Sequence, residues 1–238
     1  MNKLGLVNHY KNIFFFAIKR YEGENYKSMR EYFASILVYD LKEVVDLNNK
    51  RILDVGGSNG EFSRYIGEKY DCEIINLDPN PTKPLWETII APADQIPFED
   101  EKFDLIFFRG VLEHIPPILH QASLDEIYRV LRKDGVGYFV IPPWYNPHAG
   151  HGLKPFHLLP FPVAKFLRNL FFKKKVTYSS LEEASLYKVT HSKTIKMIEY
   201  SGFKLINTLD THFRFHILTK IPIFREFLVP ATAFIVKK

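Results

Sequence analysis

Cysteine is nearly absent from this chain: Cys72 is the one example among 238 residues. A single thiol forms no internal disulfide and no thiolate-based zinc site, so Cys72 is expected to be a buried core residue. Long apolar runs are absent too. The N-terminal run 13–18 has six residues, short of the roughly 7–15 of a secretory signal core and followed by no cleavage motif. It is also far short of the roughly 20 needed to span a bilayer. The expected location is therefore intracellular and cytoplasmic, with peripheral contact at a membrane as an additional option. Acidic side chains are missing from one long stretch. None occurs between Asp134 and Glu182, while those 47 residues hold six Lys or Arg, three His and ten aromatics. Residues 1–150 carry a net charge of −5 and residues 151–238 a net charge of +10. Such asymmetry points to an anionic partner.

What remains is ordinary globular composition, with 46 % hydrophobic and 25 % charged residues, which excludes a disordered, collagen-like or coiled-coil chain. Apolar residues at three- and four-residue spacing predict a helix over 25–47, built on Met29, Phe33, Ile36, Leu37, Leu41, Val44 and Val45. Short strands are expected at 51–55, 73–77, 88–91, 103–108 and 136–141. Helices are expected at 59–69 and 122–132, with Gly135 as a cap after the latter. This alternation describes βαβ units and a parallel sheet. Six prolines within 142–162 then interrupt the rhythm and predict a loop or lid. Helices follow at 163–172 and 191–201. Strands at 203–210 and 228–236 are expected to form an antiparallel edge.

A glycine-rich turn, Gly56-Gly57-Ser58-Asn59-Gly60, lies between the first strand and its helix. Glycine permits positive φ and close approach of a ligand to the backbone, and a helix N-terminus favours a carboxylate or phosphate. The G-x-G-x-x-G fingerprint of dinucleotide sites is missing. A plain tight turn would also explain the glycines. Asp78 ends the second strand, where a carboxylate can accept both ribose hydroxyls; a turn-forming role before Pro79 is the simpler alternative. Asp94, in a loop after the weak third strand, is placed to accept from an exocyclic amine, or is a solvated loop residue.

The order of these pieces resembles the class I S-adenosylmethionine (SAM) dependent methyltransferases of the type 11 group. The resemblance covers residues 51–143. It rests on Leu-Asp-Val-Gly-Gly-Ser-Asn-Gly at 53–60, Leu-Asp-Pro at 77–79 and Ala-Asp-Gln-Ile-Pro-Phe at 93–98. Further on come Phe-Asp-Leu-Ile at 103–106, Val-Leu-Glu-His-Ile-Pro at 111–116 and Leu-Arg-Lys-Asp-Gly at 131–135. It implies a Rossmann-like, doubly wound α/β fold: a seven-stranded, mostly parallel sheet with an antiparallel C-terminal edge strand and helices on both faces. The implied cofactor is SAM, with S-adenosylhomocysteine as product. By the resemblance, Gly56, Gly57, Ser58 and Gly60 approach the methionine moiety and Asp54 helps orient its amino end. Asp78, with Pro79 beside it, holds the ribose. Asp94 meets the adenine amine, and Ala93, Gln95 and Ile96 line the base. Arg109 and Gly110 lie near the sulfonium. Ser58 departs from the usual glycine but is small, and Lys133-Asp134-Gly135 departs from Pro-Gly-Gly in a turn.

Methyl transfer needs positioning and desolvation, and a base only where the acceptor must lose a proton. His114 is the candidate base, since its ordinary pKa of about 6.5 suits proton transfer near neutrality; helix capping is its structural alternative. Glu113 is placed to orient it. Some relatives with this Glu-His segment bind a divalent metal through an acid three positions earlier. That position is Gly110 here, so no metal is expected. Trp144, Tyr145, His148, His151 and His157 are expected to line the acceptor pocket.

The chain thus divides into an N-terminal helical segment (1–50), a SAM-binding core (51–143), a basic, aromatic-rich lid or substrate insertion (144–190) and a C-terminal helix and strand pair (191–238). Within the insertion, Phe161, Phe166, Leu167, Leu170 and Phe171 beside Lys165, Arg168 and Lys173 to Lys175 suit either an active-site lid or an interfacial helix on anionic lipid. The expected function is methyl transfer, at oxygen, to a small-molecule or to a lipid- or glycan-linked acceptor. An inactive SAM-binding scaffold and an RNA methyltransferase are the alternatives.

Overall fold

A computed structural model describes residues 3–19 and 24–238, apart from the side chains of Lys3, Leu4 and Ala17. Two helices lead, α1 (Lys3–Lys19) and α2 (Asn25–Leu41). The core alternates β1 (Arg51–Val55), α3 (Glu61–Lys69), β2 (Glu73–Leu77), β3 (Thr88–Ile89), β4 (Phe103–Arg109), α4 (His120–Val130) and β5 (Leu131–Ile141). Then come α5 (Phe161–Phe171), α6 (His191–Tyr200), β6 (Lys204–Asp210), α7 (Pro222–Phe227) and β7 (Thr232–Lys237).

The strands form one seven-stranded sheet in the order β3-β2-β1-β4-β5-β7-β6. β1 through β5 pair in parallel, and β7 runs antiparallel to both β5 and β6. The reversed strand β7 therefore sits one place in from the edge, which β6 occupies.

Alternation along each strand loads both faces. Leu53, Val55, Ile106, Phe108, Phe139 and Ile141 pack with Leu124 and Ile127 of α4 and Met197 and Ile198 of α6. Ile52, Leu105, Phe107, Val136 and Tyr138 pack with Leu37 and Leu41 of α2 and Phe62 and Ile66 of α3. Phe62 meets Phe107 edge-on, with ring centroids 5.0 Å apart. Full burial of a side chain of that size contributes about 1.5–3 kcal/mol. A third, small cluster of Leu153, Ala164 and Val176 gives the 144–190 segment a core of its own.

Several expectations change. The helix expected over 25–47 stops at Leu41. Its stripe divides, with Leu37 and Leu41 in the core and Met29 and Phe33 on a cavity wall. Gly135 is no helix cap: α4 ends at Val130 and the chain enters β5 at Leu131. A Cβ on Gly135 would lie 2.7 Å from the Arg132 carbonyl oxygen. The final strand begins at Thr232, after Pro230. Cys72 is half-buried beside the second cluster, and burial, with the nearby Asp71 charge, raises its thiol pKa.

Candidate active site

The site is built at the carboxyl ends of β1, β2, β4 and β5, where open α/β sheets bind ligands. β1 delivers the chain into the turn at Gly56, which adopts φ +72. Gly57 is hemmed in: a Cβ there would lie 2.1 Å from Asn76 Oδ1 and 2.6 Å from Asp54 Oδ2. Ser58 holds the left-handed conformation at φ 57. Its carbonyl accepts from Asn76 Nδ2 at 2.9 Å, and its N–H donates to Asp78 Oδ2 at 2.8 Å. The other Asp78 oxygen accepts from the Asn80 N–H at 2.9 Å. A carboxylate offers about four acceptor positions. Two are used here, and the half-exposed group keeps the rest for a diol. This tight cradle and half-used carboxylate fit a ribose-bearing ligand.

Asp54 is 1 % exposed. Its Oδ2 accepts from Ser63 Oγ at 2.9 Å, and its Oδ1 lies 3.6 Å from Arg109 Nη2. The Arg109 guanidinium stacks 3.6 Å above the Phe62 ring. Burial lowers its pKa from the usual guanidinium value, and the Asp54 charge works against that fall. Gly110, at φ +65, carries the chain off β4.

The 93–98 loop is fixed by an interaction that no motif announced. Arg129 donates to the carbonyls of Phe98 at 2.7 Å and Ile96 at 2.9 Å and pairs with Glu126 and Asp100. Glu126 in turn accepts from the Ile96 N–H at 2.9 Å. Its hydrogen bonds to Arg129 hold its carboxyl below the usual range. Ala93 and Ile96 are buried in the core, Asp94 is half-buried and Gln95 is exposed.

Two adjoining cavities open beside Gly110. One of about 250 Å³ is lined by Met29, Phe33, Phe62, Arg109, Tyr138 and His212, among others. One of about 640 Å³ is lined by Ile13, Phe16, Glu113, His148, His151 and Lys154, among others. They share Met29, Phe33, Gly110, Val140 and His212, so α2 walls both, and α1 adds Ile13 and Phe16 to the larger one. Asp78 and Asp94 do not line either one.

Of the expected acceptor residues, His148 and His151 line the larger cavity. Trp144, Tyr145 and His157 do not. Trp144 is 9 % exposed and its carbonyl lies 2.8 Å from His157 Nε2. Burial lowers the His157 pKa. Tyr145 stacks on Phe227 and accepts from Lys188 Nζ at 2.6 Å. His114 stands on a short 3-10 turn after β4. Its Nδ1 lies 2.7 Å from the Ser185 carbonyl oxygen, and its ring meets the His151 ring edge-on at 4.7 Å. Glu113, His114 and His151 each bring one donor atom within 4.8 Å of the others, which makes them the residues able to hold a metal ion among those described.

His212 was not legible as a site residue. Nothing marks it in sequence, and it reaches the cavity from the turn after β6. Burial, with positive charge from His148, His9 and Lys154 nearby, lowers its pKa to about 4. It is therefore a neutral hydrogen-bonding group at neutral pH.

The Methyltransf_11 family, described as a methyltransferase domain, matches residues 53–139. This span holds the glycine turn, Asp78, Asp94 and the Glu113–His114 turn. Residues 53–139 are thus similar to this family's methyltransferase domain. The chain is 37 % identical to a tRNA U34 carboxymethyltransferase of Azotobacter vinelandii, over 36 % of this chain and 31 % of that protein. It is 29 % identical to a sarcosine/dimethylglycine N-methyltransferase of Halorhodospira halochloris, over 38 % of this chain and 37 % of that protein. The match thus spans about a third of the length of these curated relatives. The same fold occurs in a Burkholderia thailandensis 1,6-didemethyltoxoflavin-N1-methyltransferase with bound S-adenosylhomocysteine. That likeness has a TM-score of 0.57 and 14 % identity, and covers 99 % of this chain and 89 % of that one. Among the described residues, no helix is long and apolar enough to cross a membrane.

Proposed function

We propose that this chain binds SAM across the ends of β1, β2 and β4 and transfers its methyl group to an oxygen of an acceptor with an apolar body. In the transfer the sulfonium carbon–sulfur bond breaks and its electron pair stays on sulfur, giving S-adenosylhomocysteine. A carbon–oxygen bond forms, and the acceptor oxygen gives up a proton. Gly56, Gly57, Ser58 and Gly60 approach the methionine end and Asp54 orients its amino group. Asp78, beside Pro79, takes the ribose hydroxyls. Asp94 takes the adenine amine, with Ala93, Gln95 and Ile96 around the base. Arg109 and Gly110 face the reacting end. The acceptor lies in the adjoining cavities, against His148 and His151, with activation of its oxygen assigned to the Glu113–His114–His151 group. Residues 144–190 form the acceptor-side insertion.

The observation that carries the acceptor class is the rim of the larger cavity. Of 25 exposed large apolar residues described, 19 lie in three segments, 7–18, 158–172 and 213–228. Each segment, or a residue beside it, also lines that cavity, through Ile13, Phe172 and Phe213. Phe14, Phe166, Phe171 and Ile223 are each more than 60 % exposed. Solvated surfaces seldom gather apolar groups so densely unless they meet a partner or a membrane. Lys173, Lys174 and Lys175 adjoin the patch. Exposed aromatics with lysines are the chemistry of an anionic lipid surface. The reading is therefore a membrane-resident, lipid-linked acceptor entering through this rim.

RNA is the second reading, favoured by the +10 charge of residues 151–238 and by the tRNA-modifying relative. Transfer from methyl-labelled SAM separates the readings when lipid extract and total RNA are offered in parallel. Label in lipid supports the proposal, and label in RNA alone replaces it. Label in neither, with SAM bound, favours a scaffold. Flotation on liposomes containing anionic lipid, lost in a Phe166→Ser, Phe171→Ser variant, is expected as well.

A further inference from the structure

We infer that Glu113, His114 and His151 bind one divalent transition-metal ion of the zinc class at the wall of the larger cavity. Sequence alone argued against a metal, because Gly110 brings no carboxylate. The fold supplies a donor from elsewhere: His151 arrives from the insertion 37 residues after His114 and completes a set of three.

Three observations carry the inference. Glu113 is 3 % exposed, and its Oε2 has no hydrogen-bond partner among the described residues. Leaving a buried acceptor unsatisfied costs about 1–3 kcal/mol, more when it is charged, and a cation on that carboxylate removes the cost. Second, His114 Nδ1 faces the Ser185 carbonyl at 2.7 Å. A carbonyl only accepts, so Nδ1 carries the hydrogen and Nε2 presents its lone pair. Metal-binding imidazoles are oriented by an outer hydrogen bond of this kind. Third, His151 Nε2 lies 3.8 Å from Glu113 Oε1, too far for a hydrogen bond. Two ligands at about 2.0–2.1 Å from a tetrahedral ion stand about 3.4 Å apart, so a shift of a few tenths of an ångström closes this pair, and all three donor atoms lie within 4.8 Å of one another.

Two imidazoles and one carboxylate suit zinc, iron or manganese better than calcium or magnesium. Three protein ligands leave a position open, as in catalytic sites. Gly110 faces that opening: a Cβ there would meet Glu113 Oε1 alone, at 3.5 Å. Gly110, Glu113 and His151 all line the cavity, so the open position is directed at the acceptor. A hydroxyl or enol oxygen bound there would ionise more readily. This step rests on the methyltransferase reading and assigns His114 as a ligand in place of a free base; the cation site itself does not depend on that reading.

The test is titration of the metal-free full chain with Zn²⁺ against a chromophoric chelator, repeated with Co²⁺ for its visible absorption bands. One equivalent is expected to bind. Glu113→Gln and His151→Ala should each weaken it at least tenfold while keeping the melting temperature of the metal-free chain. Absence of stoichiometric binding, or equal affinity in both variants, would overturn the inference. Titration with S-adenosylhomocysteine on the same samples keeps the two claims separate. Zinc binding without it would remove the methyltransferase reading and leave the ion site, and the reverse result would do the opposite.

Discussion

The Ser58 N–H donates to the Asp78 carboxylate across 2.8 Å, tying the glycine turn after β1 to the end of β2. The group expected to hold the ribose is thus also the group that shapes the turn. Asp78→Asn removes the charge and replaces one of the two accepting oxygens with an NH2 group, which cannot accept from the N–H it faces. Hydrogen bonds to charged groups contribute about 1.5–3 kcal/mol, so S-adenosylhomocysteine affinity should fall about 10- to 100-fold. Calorimetric titration of the variant checks this. Unchanged affinity would remove Asp78 from the site.

Gly57→Ala should be costly for steric reasons. Its Cβ would collide with Asn76 and with the buried carboxylate of Asp54, neither being the free end of a long side chain. Overpacking of this kind costs about 1–3 kcal/mol. A drop in urea midpoint together with loss of cofactor binding is expected. A normal midpoint would show that the turn has slack that the structure lacks.

Asp40 links α2 to the segment after β6. Arg214 donates to both of its carboxylate oxygens, and Tyr138 Oη donates to Oδ2 at 3.0 Å. The Asp40 and Arg214 side chains are 1 % and 6 % exposed. Removing one partner of a buried ion pair strands the other, at about 3–5 kcal/mol. Asp40→Ala should therefore lower stability by that order in urea unfolding. It should also loosen the cavity wall that α2 provides, read as faster amide exchange along α2.

Acid should destabilise the fold through His191. This residue is fully buried, its ring 4.7 Å from that of Phe234. Burial, with the nearby Arg225 charge, lowers its pKa to about 3. The unfolded chain binds this proton near pH 6.5, so it holds more protons than the folded chain between about pH 6.5 and 3. Stability then falls as pH drops through that window, by up to about 1.4 kcal/mol per pH unit for one such group. His191→Phe keeps an aromatic ring against Phe234 and removes the titration. Its stability should fall less steeply over pH 6 to 4.

Local signals made the strand and helix order legible. β1, β2 and β4 are short apolar runs ending in glycine, aspartate or arginine, and their boundaries follow from those punctuators. Signals failed where tertiary structure decides. The apolar stripe of α2 looked uniform, yet Leu37 meets the core and Phe33 a cavity; no periodicity distinguishes buried from cavity-facing positions. The turn residues from Gly56 to Gly60 and Asp78 were legible because positive φ and close backbone packing constrain residue type locally. His151 and His212 were harder. His151 meets Glu113 and His114 from 37 or more residues away, His212 meets Phe33 from α2, and one histidine in a loop has no pattern. Trp144, Tyr145 and His157 illustrate the converse, since aromatic and histidine residues near a site also serve packing.

Calorimetric titration of the wild-type chain with S-adenosylhomocysteine tests the central claim most directly. One site per chain with micromolar affinity, weakened in both Asp78→Asn and Asp94→Asn, is the predicted result. No saturable heat at millimolar ligand, in a chain that unfolds cooperatively, would contradict the account.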